Sequence, residues 1–415
     1  MSFISKNDIL CKKQFGFRQG YSTNLALIDF TDKLAKGFEN KQITVGIFLD
    51  LSKAFDSIDH VILLKKLQFY GIRGPVLQWF KSYLEARKQF VNIGEYKSDY
   101  DNITVGVPQG SILGPLLFLI YINDLQFASN ILSIILFADD TNLFLSGKDP
   151  SELNNILNAE LINIQNWFNA NKLQVNYGKT CYMIFKSKKR YIDESAIHIS
   201  LNGTVIRRVT STKFLGVIID SDLTWKGHIN HISSKLSQAI GVMNRLKKIL
   251  LINICVTLYH TMVSPYLTYC IEIWGNCANY LLLRIFLLQK RAVRVITDSH
   301  YLAHTDPLFH KLKILKLSDL YRLHATCFVF STVNGLLPSL FNDYFVYNYV
   351  VNRYICRNSN DLNIPPWIYQ YSRSTLRYNG SVVWNSLSQE LIQSPTLSSF
   401  KRKYKMFLLT SYSNP

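Results

Sequence analysis

Asp50, Asp139 and Asp140 are the residues of this chain best suited to do chemistry together. Asp50 ends the apolar run Ile43 to Leu49, and the adjacent aspartates end the run Ile131 to Ala138. Apolar runs of this length, bounded by polar residues, predict buried strands. Each strand would deliver carboxylates at its tip. Carboxylate oxygens are hard ligands for Mg²⁺, and paired divalent ions promote phosphoryl and nucleotidyl transfer by activating a hydroxyl and neutralising the leaving phosphate. Taken alone, Asp139-Asp140 reads as a turn or a cap. The second acidic tip at Asp50, with the turn Pro108-Gln109-Gly110 between the two, favours a shared metal site.

The surrounding elements must bring these tips together. His60 to Tyr70 has helical apolar spacing and stops at Gly71, and Pro75 sits in the first turn of a second helix running to about Arg87. Gln89 to Ile93 and Asn102 to Val107 read as paired strands. Ile112 to Leu125 is apolar nearly all round and predicts a helix inside the domain. Ile131 to Leu145 reads as strand, tight turn, strand. Asp149, Pro150 and Glu152 form a helix start, and the stripe from Leu153 to Phe168 carries that helix to about Asn171. Asn202-Gly203 between alternating runs signals a hairpin. Beyond about Asp220 the pattern turns helical, with helices expected over Trp225 to Leu250 and Leu281 to Ile296.

At 415 residues and 48% hydrophobic content, the chain can bury two or three ordinary cores. Its 46 Lys and Arg against 28 acidic residues give a net charge of +18, a balance that favours a polyanionic partner. The basic positions Arg284, Lys290, Arg291 and Arg294 read either as a solvated helix face or as a track along a duplex backbone. Seven scattered cysteines without a C-x-x-C pair read as reduced and intracellular, and the Cys270, Cys277, His300, His304 and His310 spacing fits no zinc pattern. No secretory leader opens the chain. Ile249 to Ile271 lacks charged side chains, but its polar residues and Pro265 point to a buried, broken helix pair and not a membrane span.

Phe48 to His60, Gly106 to Leu125 and Phe137 to Asp140 together resemble the palm of reverse transcriptases, and more narrowly the polymerase of jockey-type non-LTR retrotransposons. The resemblance covers about Gln14 to Asp220, and the helical remainder more loosely. It implies an α+β fold, a right-hand polymerase palm whose antiparallel sheet packs on helices. Residues 1–220 would be partial fingers and palm, 221–300 a helical thumb-like region, and 301–415 a helical C-terminal region. The implied activity is RNA-directed DNA polymerisation. RNA template, DNA primer and deoxynucleotides are the implied partners, without a membrane. Two Mg²⁺ ions, replaceable by Mn²⁺, would be held by Asp50, Asp139 and Asp140.

The same resemblance assigns further roles. Phe55 matches an aromatic position beneath the sugar that excludes a 2′-hydroxyl; its other reading is a core Phe under the strand. Gln109 matches a contact to incoming nucleotide and template, and Gly110 lets the backbone approach. Lys179 matches a lysine that protonates or stabilises the leaving group; its other reading is a surface Lys. Arg18, in Gln14 to Gly20, could reach template or triphosphate. Phe214-Leu215-Gly216-Val217 resembles the hairpin that grips the primer end, with the helices after it as the thumb. The resemblance also implies an intracellular site of action, the nucleus after a cytoplasmic ribonucleoprotein stage. Family members carry more fingers sequence and an endonuclease upstream, so the sequence reads as an N-terminally truncated element. The alternative is a polymerase-inactive nucleic-acid-binding remnant or maturase-like protein. An aspartic protease is set aside, because Asp50 and Asp140 lack the required Thr/Ser-Gly sequel.

Overall fold

The computed structural model describes residues 2–187, 193–351, 358–366 and 370–412; Cys356 lies outside them. Two compact units emerge, one of Met1–Ser22 with Lys41–Val209, the other of Thr23–Asn40 with Thr210–Pro415. The sequence reading drew its lines near 220 and 300 instead. Helix Thr23–Glu39 and the hairpin after Val209 group with the later helices through contacts distant in sequence, which local pattern does not report.

The first unit is built on a five-stranded sheet of β1 (Ile43–Leu49), β2 (Ser133–Phe137), β3 (Asp140–Gly147), β4 (Cys181–Phe185) and β5 (Arg207–Arg208), in the order β5-β4-β1-β3-β2. All pairings are antiparallel except β5 with β4. Every residue of central β1 is buried, which explains its unbroken apolar run. Its odd-numbered residues, Ile43, Val45, Ile47 and Leu49, enter the main core with helices Leu113–Ile122 and Pro150–Ala170. On the other face Phe48 meets Phe144 edge to face at 6.0 Å. Each fully buried side chain of this size contributes about 1.5–3 kcal/mol of apolar burial.

The expected helices form, with ends set by local chemistry. Asp59 caps His60–Phe69 by accepting from Ile62 N, and Asp149 caps Pro150–Ala170 by accepting from Ser151 N and Glu152 N. The second helix is shorter than its pattern, Gly74–Leu84. The expected strand pair after it is revised. Lys88–Gln89 pairs with Asp101–Asn102, Asn92–Ile93 turns back on Tyr96–Lys97, and Val105 bridges Asp59. Every residue from Lys88 to Asn102 is exposed. Asn202 and Gly203, at φ 51° and 74°, make the expected tight hairpin between Ser200–Leu201 and Thr204–Val205.

In the second unit, β6 (Ser211–Phe214) and β7 (Val217–Asp220) form a hairpin, and helices Lys226–Leu246 and Asn279–Ile296 pack together. Ile249 to Ile271 contains Ile252–Met262 and Ser264–Thr268, broken at Val263 because Pro265 starts a new first turn. The pair is less buried than expected: Cys255, Tyr259, Val263 and Leu267 face inward, whereas Ile249, Leu251, Ile252 and Ile254 are exposed. Among the described residues no helix is long and apolar enough to cross a membrane.

Tyr121 shows how the first unit's helices are locked. Its buried hydroxyl donates to Asn171 O at 2.6 Å and accepts from Asp59 N at 3.3 Å, joining the end of one helix to the cap of another. Tyr121→Phe should therefore lower stability by about 1–3 kcal/mol, because the buried Asn171 carbonyl and the half-buried Asp59 N–H lose their partner. Urea denaturation checks this; an unchanged midpoint would contradict it.

Candidate active site

The register of the sheet assembles the acidic site. Leu49 lies opposite Thr141, so the next step of the same ladder sets Asp50 opposite Asp140. Phe137 pairs with Asp140, which leaves Ala138 and Asp139 as a two-residue turn, with Ala138 at φ 54°. All three carboxylates thus occupy one end of the sheet. Their proximity is felt electrostatically. The Asp140 carboxyl is pushed up to about 6, first by desolvation and then by the charges of Asp139 and Asp50. Asp140 itself is exposed on the surface, so this desolvation comes from the protein mass beside it and not from enclosure.

Asp50 is held from both sides of its backbone. Asn176 N donates to Asp50 O at 2.8 Å, Asp50 N donates to Thr180 Oγ1 at 3.3 Å, and Leu51 bridges Val175. The chain then turns through Asn176 O, which accepts from Lys179 N and Thr180 N. This turn brings Lys179 Nζ to 3.7 Å from Asp50 Oδ2. Lys179 is exposed, so the pair is screened and leaves the ammonium free to reorient. Buried Thr180 and the Asn176 turn, which hold the Asp50 backbone, are supports that the sequence reading did not assign.

The other predicted site residues lie in the same unit. Phe55 stacks on Phe118 at 4.7 Å and meets Phe17 edge to face at 6.4 Å, with part of its surface open. Gln109 is exposed and its Nε2 donates to Asp56 Oδ1 at 2.8 Å. Asp56 is a second residue without an assigned role in the sequence reading; its place six residues beyond Asp50 was the available signal. Gly110 has φ 78°, and a Cβ there would meet nothing within 4 Å, so backbone conformation and not crowding within the unit calls for glycine. Arg18 is engaged locally: its Nη1 donates to Cys11 O and Gln14 O, and its guanidinium lies 4.1 Å from the Tyr21 ring centre. In the second unit, Phe214 and Val217 close the expected hairpin through Leu215 and Gly216. Of the basic helix residues, Arg284 donates to Asn230, Arg294 to Ala303 O, and Lys290 covers Phe286, whereas Arg291 is exposed.

A model of the family described as reverse transcriptase (RNA-dependent DNA polymerase) matches residues 2–219. The chain belongs to the reverse transcriptase family. The jockey-type resemblance read from the motifs is borne out. The RNA-directed DNA polymerase from mobile element jockey of Drosophila melanogaster is 30% identical over 319 residues, which cover 74% of this chain and 34% of that protein. The probable RNA-directed DNA polymerase from transposon BS of the same organism is 29% identical over 340 residues, 78% of this chain and 36% of that protein. This reverse transcriptase chain spans about a third of the length of those relatives. Telomerase from Candida albicans, solved with a TWJ fragment of telomeric RNA, is similar over 75% of this chain and 53% of that one, with 13% identity and a TM-score of 0.39.

Carboxylates alone, hard and anionic, are the donor set that suits Mg²⁺, and a divalent cation would offset the repulsion that Asp139 and Asp50 add to the desolvation of Asp140. Among the described residues no three His, Cys, Asp or Glu side chains form a ready-made metal cluster. Mutual repulsion opposes closer approach while the charges are uncompensated.

The raised Asp140 pKa has a stability consequence with a definite sign. The folded state binds this proton more tightly than the unfolded chain, so stability falls as pH rises from about 4 to about 6 and the penalty persists above that window. In EDTA, Asp140→Asn should raise Tm at pH 7.5 and have little effect at pH 4, and Mg²⁺ should narrow the difference. Calorimetry at both pH values checks this; equal Tm values at pH 7.5 would contradict it.

Proposed function

We propose that this chain carries the catalytic core of an RNA-directed DNA polymerase, which extends a primer 3′-hydroxyl with deoxynucleotides on an RNA template. One observation carries the reading: the β1/β3 register gathers Asp50, Asp139 and Asp140 at one sheet end. Asp50 and Asp139 would hold two Mg²⁺ ions, or Mn²⁺, with Asp140 beside them. Ions held by these residues would supply a lowered pKa for the primer hydroxyl and charge neutralisation for the triphosphate.

The chain's own side chains supply the rest. Phe55, backed by Phe118, presents a flat wall for the sugar of the incoming nucleotide. Gln109 is oriented by Asp56 and contacts nucleotide and template, and the left-handed Gly110 lets the loop follow. Lys179, free to swing from Asp50, delivers a proton toward the departing pyrophosphate. Arg18 keeps Nε and Nη2 for a phosphate while Nη1 fixes its base. The hairpin Ser211–Asp220 serves the primer end, and the helices after it serve as a thumb that holds the hybrid by its phosphates. Family resemblance supports a nuclear site of action that follows a cytoplasmic ribonucleoprotein stage.

Primer extension on an RNA template by the purified chain tests the reading. Asp50→Ala and Asp139→Ala should each reduce Mg²⁺-dependent extension by about 10³-fold or more. Nucleic-acid binding without extension by the unsubstituted chain would select a binding role instead. Phe55→Val should raise ribonucleotide incorporation by about 10-fold or more, as removal of a steric wall does; unchanged sugar discrimination would remove Phe55 from that role.

A further inference from the structure

We infer that Gln14 is a positioning residue for the catalytic turn: its side-chain oxygen fixes the Ala138-Asp139 backbone from a segment more than a hundred residues away. The inference rests on the proposed polymerase reading. Gln14 is buried, with 1% of its surface exposed. Its Oε1 accepts from Ala138 N at 3.0 Å and from Gly16 N at 2.8 Å. The main chain continues the attachment, because Phe15 N donates to Leu136 O at 2.8 Å and Leu136 N to Lys13 O at 2.9 Å. Lys13 to Phe15 thereby forms a short parallel rung on the outer edge of β2, next to the turn that carries Asp139.

Two details indicate that the contact positions the turn and does not merely bury a side chain. First, Gln14 Nε2 is buried without a partner. The side chain is therefore held through its oxygen alone, by the N–H groups of Ala138 and Gly16. The oxygen must face the two N–H groups, which excludes the flipped amide. Second, a Cβ at Gly16 would lie 2.3 Å from Ala138 N, so only glycine lets the segment approach the turn this closely. Ala138 takes φ 54°, the left-handed conformation that a two-residue hairpin turn requires, and the Gln14 oxygen accepts from its N–H. The same segment ends on Phe17, whose ring meets Phe55, so one brace touches both the acidic turn and the proposed sugar wall. Arg18 in turn secures the brace through Gln14 O.

Gln14→Met keeps the length and removes the acceptor, whereas Gln14→Glu keeps an acceptor oxygen that the two amides stabilise. Hydrogen exchange of the Ala138 amide is the direct readout, with the Val45 and Ile47 amides as controls. Met at 14 should speed Ala138 exchange by about 10-fold and leave the controls unchanged, as loss of one local hydrogen bond does. In primer extension it should lower kcat by about 10-fold with the deoxynucleotide KM within about 2-fold, the signature of a misplaced catalytic group. Glu at 14 should retain wild-type exchange and most of kcat. Unchanged Ala138 exchange in Gln14→Met, or kcat falling equally with Met and Glu, would overturn the inference. If Gln14→Met does not melt cooperatively, Gln14→Glu decides, and loss of its Ala138 protection would overturn it. An unsubstituted chain without extension tells against the polymerase reading, and the exchange comparison then still judges Gln14 by itself.

Discussion

Everything in the first unit hangs on the antiparallel register in which Leu49 faces Thr141. A strand alternates its side chains with period two, so a slip of one residue would turn Ile43, Val45, Ile47 and Leu49 out of the core and take Asp50 away from Asp140. Because both faces of β1 are buried, that slip would exchange Ile43, Val45, Ile47 and Leu49 with Thr44, Gly46 and Phe48 between two packed layers that fit neither set. Apolar packing therefore sets the positions of charges that repel one another. The Asp140 carboxyl is pushed up first by desolvation, with the neighbouring charges of Asp139 and Asp50 adding to it.

Backbone next to the candidate site residues is held by contacts distant in sequence elsewhere in this unit. Asp50 is clamped by Asn176 and Thr180, and the turn at Ala138 by Gln14. Gln109 leans on Asp56 and Phe55 on Phe118. These supports come from loops and, for Phe118, from within a helix, whereas Asp50 and Asp140 lie at strand ends and Asp139 in the turn between strands. Such a division anchors the candidate acids to the sheet, whereas Lys179 and Gln109 lie exposed.

Much of this was legible in the residues. Strong local signals held: the apolar run before Asp50, the cap at Asp149, the Asn202-Gly203 turn and the Pro265 break. Each is fixed by backbone sterics or by hydrogen bonds within a few residues. What escaped was non-local. The exposed ribbon from Lys88 to Asn102 re-pairs internally because a two-residue hairpin at its tip competes with a longer ladder. The grouping of Thr23–Glu39 with later helices rests on contacts such as Arg377 with Asp32, 3.0 Å apart. Arg18 looked like a hand for phosphate, yet backbone carbonyls four and seven residues earlier engage it first.

The central claim is that Asp50 and Asp139, 89 residues apart in sequence, share a cation site made by strand register. Titration of the purified chain with Mn²⁺, followed by electron paramagnetic resonance, tests it most directly and without any nucleic acid. Asp50→Asn and Asp139→Asn should each weaken Mn²⁺ binding by about 10-fold or more, because each removes a hard anionic ligand from one site. An Asp50→Asn chain that binds Mn²⁺ as tightly as the unsubstituted protein would contradict the account.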